Sequence, residues 1–190
     1  MSIAFKEWAI ICQLLGEGRQ SLILRKGGIA EGRDGFAFKH PWFFLLPTRF
    51  HEQIAQTTLP PETSIPETGA DAEHVLKFQA EISRTCVIDD LDTALALAPL
   101  HHWCEETVRT RFAYDEAPGI SAALVRIYRV EPVHTFPDAP KYGGCRSWVK
   151  IPDPPQEPRK IPVLEEAAHH EVVRRFESLI GQGNSVAASG

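Results

Sequence analysis

The side chains equipped for chemistry cluster at the ends of apolar runs. They are Arg25-Lys26-Gly27-Gly28, Thr48-Arg49-Phe50-His51, His101-His102-Trp103, Arg111-Phe112 and the segment Tyr142-Gly143-Gly144-Cys145-Arg146-Ser147-Trp148. Guanidinium and ammonium groups donate to phosphate or carboxylate, and indole and phenol rings offer faces on which a base stacks. The pattern points to recognition of an anionic or planar ligand. Arg25, Arg49, Arg126 and Arg146 are the expected phosphate donors. His101, Trp103, Tyr128 and Trp148 are the expected walls of a base pocket, with Lys26, His51 and Arg111 as further ligand-binding candidates. Each also has a structural reading: Trp148 as a core residue whose indole N–H finds a carbonyl, Trp103 as the anchor of a helix pair.

Covalent chemistry has one candidate nucleophile. Cys145 lies between Gly144 and Arg146, where a guanidinium and free backbone amides favour thiolate, and His101 or His51 is the base that would complete a Cys/His pair. The opposing reading is a packed cysteine in a glycine turn. A zinc site from His101, His102, Cys104 and Cys145 has no recognised ligand spacing, and adjacent histidines do not easily present both rings to one ion, so neither metal nor cofactor is expected. The chain carries no G-x-S-x-G elbow, no P-loop and no G-x-G-x-x-G after a strand. Asp89-Asp90, Asp92 and Glu105-Glu106 suit helix starts, where the macrodipole favours negative charge, rather than the converging carboxylates of a metal-dependent nuclease. No motif dictates a reaction, and whether the protein is an enzyme stays open, with binding favoured.

The 190 residues are 43% hydrophobic, enough for one core, and carry a net charge of -5. That balance excludes non-specific coating of nucleic acid, which needs excess cations to displace counterions, but leaves room for a local basic groove. Cys12, Cys86, Cys104 and Cys145 are scattered, as in a reducing cytoplasm. The first residues lack the pattern of a secretory leader, and no apolar run approaches the roughly 20 residues that span a bilayer. The expected location is the cytoplasm, away from membranes.

The elements that must position these residues follow from periodicity. Residues 4–15 space Phe5, Trp8, Ile11, Cys12 and Leu15 as on a helix, although Ala9-Ile10-Ile11 also suits a strand. Gln20 to Lys26 reads as a short strand that places Arg25 at its end, before a Gly27-Gly28 turn. Residues 36–48 read as two strands, or an edge strand broken at His40-Pro41, because proline cannot donate to a ladder. Residues 58–72 read as an irregular loop. Phe78 to Ile88 is an expected strand, followed by a helix capped by Asp89-Asp90 and broken by Pro99. Glu105 to Tyr114 reads as a second short helix, and the alternation over Ile120 to Val130 marks the clearest strand. Five prolines in 152–162 suggest a stiff linker closing a globular domain at 1–151. An amphipathic helix over 163–180 then docks on the core or binds a partner, and 181–190 forms a disordered tail.

The strings Arg25-Lys26-Gly27-Gly28-Ile29, Phe44 to Thr48 with His51, Leu100-His101 with Trp103, Arg111-Phe112, Val125 to Arg129 and Tyr142 to Val149 together resemble a bacterial family catalogued as domain of unknown function 1802. The resemblance covers residues 4 to about 151. It implies no reaction, only an association with restriction-endonuclease-like modules, hence a role in restriction or another nucleic-acid transaction and a restriction-type nuclease as a partner. The element order, with Gly18-Arg19-Gln20 before the strand ending at Arg25, is also similar to ASCH and PUA-like domains, small barrels that bind RNA or modified nucleobases. Some of those are amidohydrolases, but Gln20 stands where their pattern places a lysine. The expected fold is therefore α+β, a compact mixed sheet or partial β-barrel with flanking helices. The expected function is a binding module for nucleic acid or a nucleotide-like ligand. A small hydrolase using Cys145 or a histidine, and an adaptor working through the C-terminal helix, are the alternatives.

Overall fold

The structure is a computed structural model, which describes residues 1–26, 37–49, 53–68, 72–114 and 117–186, with side chains to residue 181. The chain is α+β: strand β1 (Ser2–Trp8), helix α1 (Ala9–Gly16), β2 (Leu22–Arg25), β3 (Trp42–Thr48), β4 (Glu73–Ile88), α2 (Leu91–Ala96), α3 (Glu105–Phe112), β5 (Ile120–Pro137), β6 (Trp148–Ile151), β7 (Arg159–Pro162) and α4 (Glu166–Val186). All seven strands join one sheet in the order β2-β5-β4-β3-β1-β6, and β7 extends the edge of β5 beyond β2. Among the described residues only β1 and β3 run parallel.

The first element departs from expectation. Residues 2–8 form a strand, and the helix is confined to 9–16. β1 lies between β3 and β6 with both faces covered: Phe5 enters one core and Ala4 the other. Burial on both faces erases the polar-apolar alternation that marks a strand, and the i, i+3 pattern from Phe5 to Cys12 straddled the strand-helix junction. β3 is likewise interior rather than an edge. Its ladder with β4 covers Trp42, Phe43 and Phe44, so Pro47 borders β1 alone and occupies an edge-like position inside a central strand.

Local chemistry explains several boundaries as expected. Asp90 caps α2: its Oδ2 accepts from the Thr93 N–H at 2.7 Å and from Thr93 Oγ1 at 2.6 Å. Pro99 sits in a 3-10 turn, Ala98–Leu100, that ends the helical run. Gly16 closes α1 against the ring of Phe78, where an added Cβ would lie 2.1 Å from the ring.

The two long strands β4 and β5 form the backbone of the sheet, with register shifts at Leu76/Phe78 and Ile82/Arg84. Their bend divides the apolar residues into two cores. The larger packs α1, α2, α3 and α4 against one face, around Phe5, Ile11, Leu15, Leu24, Phe43 and Trp103. The smaller gathers Phe44, Leu76, Phe136, Tyr142 and Ile151 behind β1, β3 and β6.

The proline-rich stretch contains structure. Residues 159–162 form β7, paired with Tyr128 to Glu131 of β5, and α4 follows within four residues and continues to Val186. The expected linker is therefore partly a sheet strand, and the helix docks on the core. Phe176 is buried, and Val172, Val173, Leu179 and Ile180 pack beside it. Helix outruns the expected tail boundary at 181, and residues 187–190 lie outside the described residues. Among the described residues no helix is long and apolar enough to cross a membrane.

The sheet curls. β2 and β1 are separated by three strands in the order, yet Arg25 Nη2 donates to the Lys6 carbonyl at 2.5 Å, and its guanidinium carbon lies 5.0 Å from the Phe5 ring centroid. The result is a partial barrel whose open mouth is spanned by an arginine.

Candidate anion-binding cleft

At that mouth lies a cleft of about 640 Å³. Because β1 and β3 are parallel and in register at Trp8 and Thr48, both strands end on the same side of the molecule. β2 ends there too, at Arg25. The cleft is lined by Lys6 and Trp8 from β1, Arg25 and Lys26 from β2, Arg49 after β3, and the loop from Tyr142 to Ser147. Five cationic side chains thus converge from four separated segments, and no described lining residue is acidic.

Each cation is held differently. Lys6 is mostly buried, and its Nζ donates to the carbonyls of Gly143 and Gly144 at 2.9 and 3.0 Å. Burial pushes its pKa down, with nearby Arg146 acting in the same direction. These bonds tie the loop to β1, helped by Lys6 N–H donating to the Ser147 carbonyl at 2.8 Å. Gly144 has φ +74°, the left-handed region that the sharp turn at this point requires. Lys26 Nζ donates to the Ala117 carbonyl. Arg49 and Arg146 are exposed on the rim and make no ion pair with a described residue. Cys145 is exposed beside Arg146.

Under the cleft sits one carboxylate. Glu7 is buried: its Oε1 accepts from the Trp8 N–H at 2.7 Å and lies 3.9 Å from Arg25 Nη1, while Oε2 has no partner. Trp8 rests edge-on against Trp103 at 4.8 Å. The Arg111 guanidinium stacks over Trp103 at 3.6 Å and donates to the Leu24 carbonyl. Burial pushes the Arg111 pKa down to about 10, opposed by Glu7. His101 Nδ1 accepts from the Trp103 N–H at 3.1 Å; burial, reinforced by the Arg111 charge, holds its pKa down to about 4, so the ring is neutral at pH 7. His101, Trp103 and Arg111 therefore form a supporting layer behind Trp8 and do not line the cleft.

The structure divides the sequence-derived set. Arg25, Lys26, Arg49, Cys145 and Arg146 come together. Arg126 and Tyr128 do not: Arg126 pairs with Glu166 of α4 at 2.6 Å, and the Tyr128 hydroxyl donates to Glu81 Oε2 at 2.7 Å. Burial and that bond to Glu81 push the Tyr128 pKa up to about 12. Their side of β5 receives α4. Trp148 packs against Phe5 and Phe43, and its Nε1 donates to the Ala37 carbonyl, the core reading of that residue. His51 falls outside the described residues. The Cys145–His101 pair is not assembled, since His101 is buried against Trp103. The imagined zinc ligands are dispersed into other bonds, His102 to Thr58 and Cys104 to Thr107, and the described residues contain no group of three metal-binding side chains.

Sequence reasoning missed Lys6, Glu7 and Trp8. The signal was there, a Lys-Glu-Trp run interrupting an apolar segment, but read as helix it scattered these residues around a cylinder instead of placing them at a strand end.

A curled α+β sheet with a cationic cleft at its mouth is the class that fold and site define. The chain belongs to the family described as Domain of unknown function (DUF1802), whose profile matches residues 4–175, a span that runs through β7 into α4. Among solved structures it is similar to a mutant of ZmASCH from Zymomonas mobilis, with 11% identity, coverage of 91% of this chain and 94% of that one, and a TM-score of 0.45. The ASCH protein from Zymomonas mobilis is similar at 12% identity, the same coverage and a TM-score of 0.44. No curated protein matches the chain.

Proposed function

We propose that this protein is a binding module for nucleic acid or a nucleotide-like ligand, and that the cleft between Lys6, Arg25, Arg49 and Arg146 is where the ligand's phosphates sit. The observation that carries the reading is the convergence of five cations from four segments in a chain whose net charge is -5. Local concentration of one charge sign in a concave site focuses the field and attracts polyanions even when the whole molecule repels them. Arg49 and Arg146 are exposed and make no ion pair with a described residue, so they are available to phosphate and cost little to desolvate. A restriction or nucleic-acid-processing setting is proposed from the family association alone. The adaptor reading loses its main support, because the apolar stripe of α4 is used within the chain.

The test is a titration of the full chain with labelled single-stranded and duplex RNA and DNA over a range of salt. Affinity is expected to fall with salt. Arg49→Ala and Arg146→Ala, both at exposed positions, are expected to reduce the slope of log K against log salt by about 1 each. No binding at low salt of any strand, nor of a mononucleotide, by the folded wild type overturns the reading.

A further inference from the structure

The floor of the cleft holds more than a general attraction for polyanions. Arg25 and, one layer back, Arg111 share the buried carboxylate of Glu7, while Lys6, on the other face of β1, has only the exposed Asp138 as a carboxylate acting on it, three cations to two anions. Burial lowers the pKa of both Lys6 and Arg111, the mark of cations whose lost hydration is not made good by protein partners. Lys6 uses two of its three N–H donors on Gly143 and Gly144, and the buried Arg25 Nε has no acceptor. Above this floor, the backbone N–H groups of Gly144, Cys145 and Arg146 make no hydrogen bond to a described residue. They belong to the loop that turns at the left-handed Gly144, a backbone arrangement that makes anion-binding concavities. The cleft's 640 Å³ falls within the roughly 300–1,000 Å³ of small-ligand sites, a scale suited to one or two nucleotides rather than to the flank of a duplex.

We propose that the cleft takes a phosphomonoester: the terminal phosphate of a nucleic-acid strand or the phosphate of a free nucleotide. The phosphate seats among Lys6, Arg25 and the amides of Gly144 to Arg146, and the rim residues Arg49 and Arg146 hold whatever extends from it. This rests on the function proposed above and narrows it. A diester carries one charge and is substituted on two sides. A monoester carries up to two charges and presents three terminal oxygens, which matches a floor with surplus cations and a row of amide donors.

The experiment compares ligands that differ only at the phosphate. Fluorescence anisotropy at fixed salt measures binding of the full chain to labelled ten-nucleotide RNA and DNA strands whose unlabelled end, 5′ in one set and 3′ in the other, is phosphate or hydroxyl. Calorimetry compares uridine monophosphate with uridine. The phosphorylated member of at least one pair is expected to bind about ten-fold tighter or better, the ratio given by one added charge-assisted contact. Lys6→Met, with folding checked by thermal unfolding, is expected to shrink that ratio; the wild-type comparison stands without it. A preference confined to strands assigns a strand end, and one confined to the mononucleotide assigns a free nucleotide. Equal binding of phosphate and hydroxyl forms overturns the inference while leaving the broader function standing. Absence of binding by every strand and nucleotide overturns the broader function itself.

Discussion

His101 shows how the layer behind the cleft ties recognition to stability. Its ring is buried, neutral, and an acceptor for the Trp103 N–H, and its pKa is held down to about 4. In the unfolded chain it titrates near the ordinary 6.5, so between those values the unfolded state binds more protons and stability rises with pH. The stabilisation is fully present above about pH 6.5 and is lost as pH falls toward 4, by an amount on the order of 2–3 kcal/mol. Chemical unfolding at pH 7 and pH 5 is expected to show this loss, and His101→Gln, which keeps an acceptor but no titrating group, is expected to flatten it. His102 and His169 are also shifted down by burial and add in the same direction, so the variant removes the largest part and not the whole. The sequence made His101 and Trp103 visible as a pair but could not say on which side of Trp8 they lie. That depends on Trp103 and Arg111 packing against Trp8 at the end of β1, a tertiary fact with no local signature.

At the scale of elements, α4 is the test of how far the domain extends. Phe176 fills a space beside α2 and β5, and Arg126 with Glu166 fixes the helix's first turn. Phe176→Ala is expected to cost about 3–5 kcal/mol, read as a fall in the denaturant midpoint. Truncation after residue 151 is expected to give a chain without a cooperative thermal transition, because it uncovers both the Phe176 seat and the β5 edge from Tyr128 to Glu131. The short, well-punctuated elements were legible: β2 from alternation, α2 from its acidic cap, α3 and the first part of β5 from spacing. What failed had a common cause. β1 and β3 are covered on both faces, so their apolar runs carry no period, and β7 hides among prolines that an edge position tolerates.

For the whole molecule, the curl of the sheet is the decisive event. Arg25 was readable at a strand end and Arg146 in a glycine turn, but their meeting depends on β2 and β1, three strands apart in the order, being brought round to face each other. No local pattern encodes that closure, which follows from accumulated strand twist and from helices packed into the concave face. The parallel pairing of β1 with β3 then fixes which end of the sheet is positive, a matter of topology again.

The register that pairs Ser2 with Ile151 has a consequence for synthesis. A ribosome adding roughly 5–20 residues per second needs about 7–30 s to add the 149 residues from Ile3 to Ile151. Throughout that interval Ile3, Ala4 and Phe5, which place apolar side chains on both faces of β1, have no β6 beside them. Residues 2–8 thus leave the ribosome long before the strand that completes their enclosure. Folded yield is therefore set by how long a nascent segment can be kept from pairing with its neighbours on other chains.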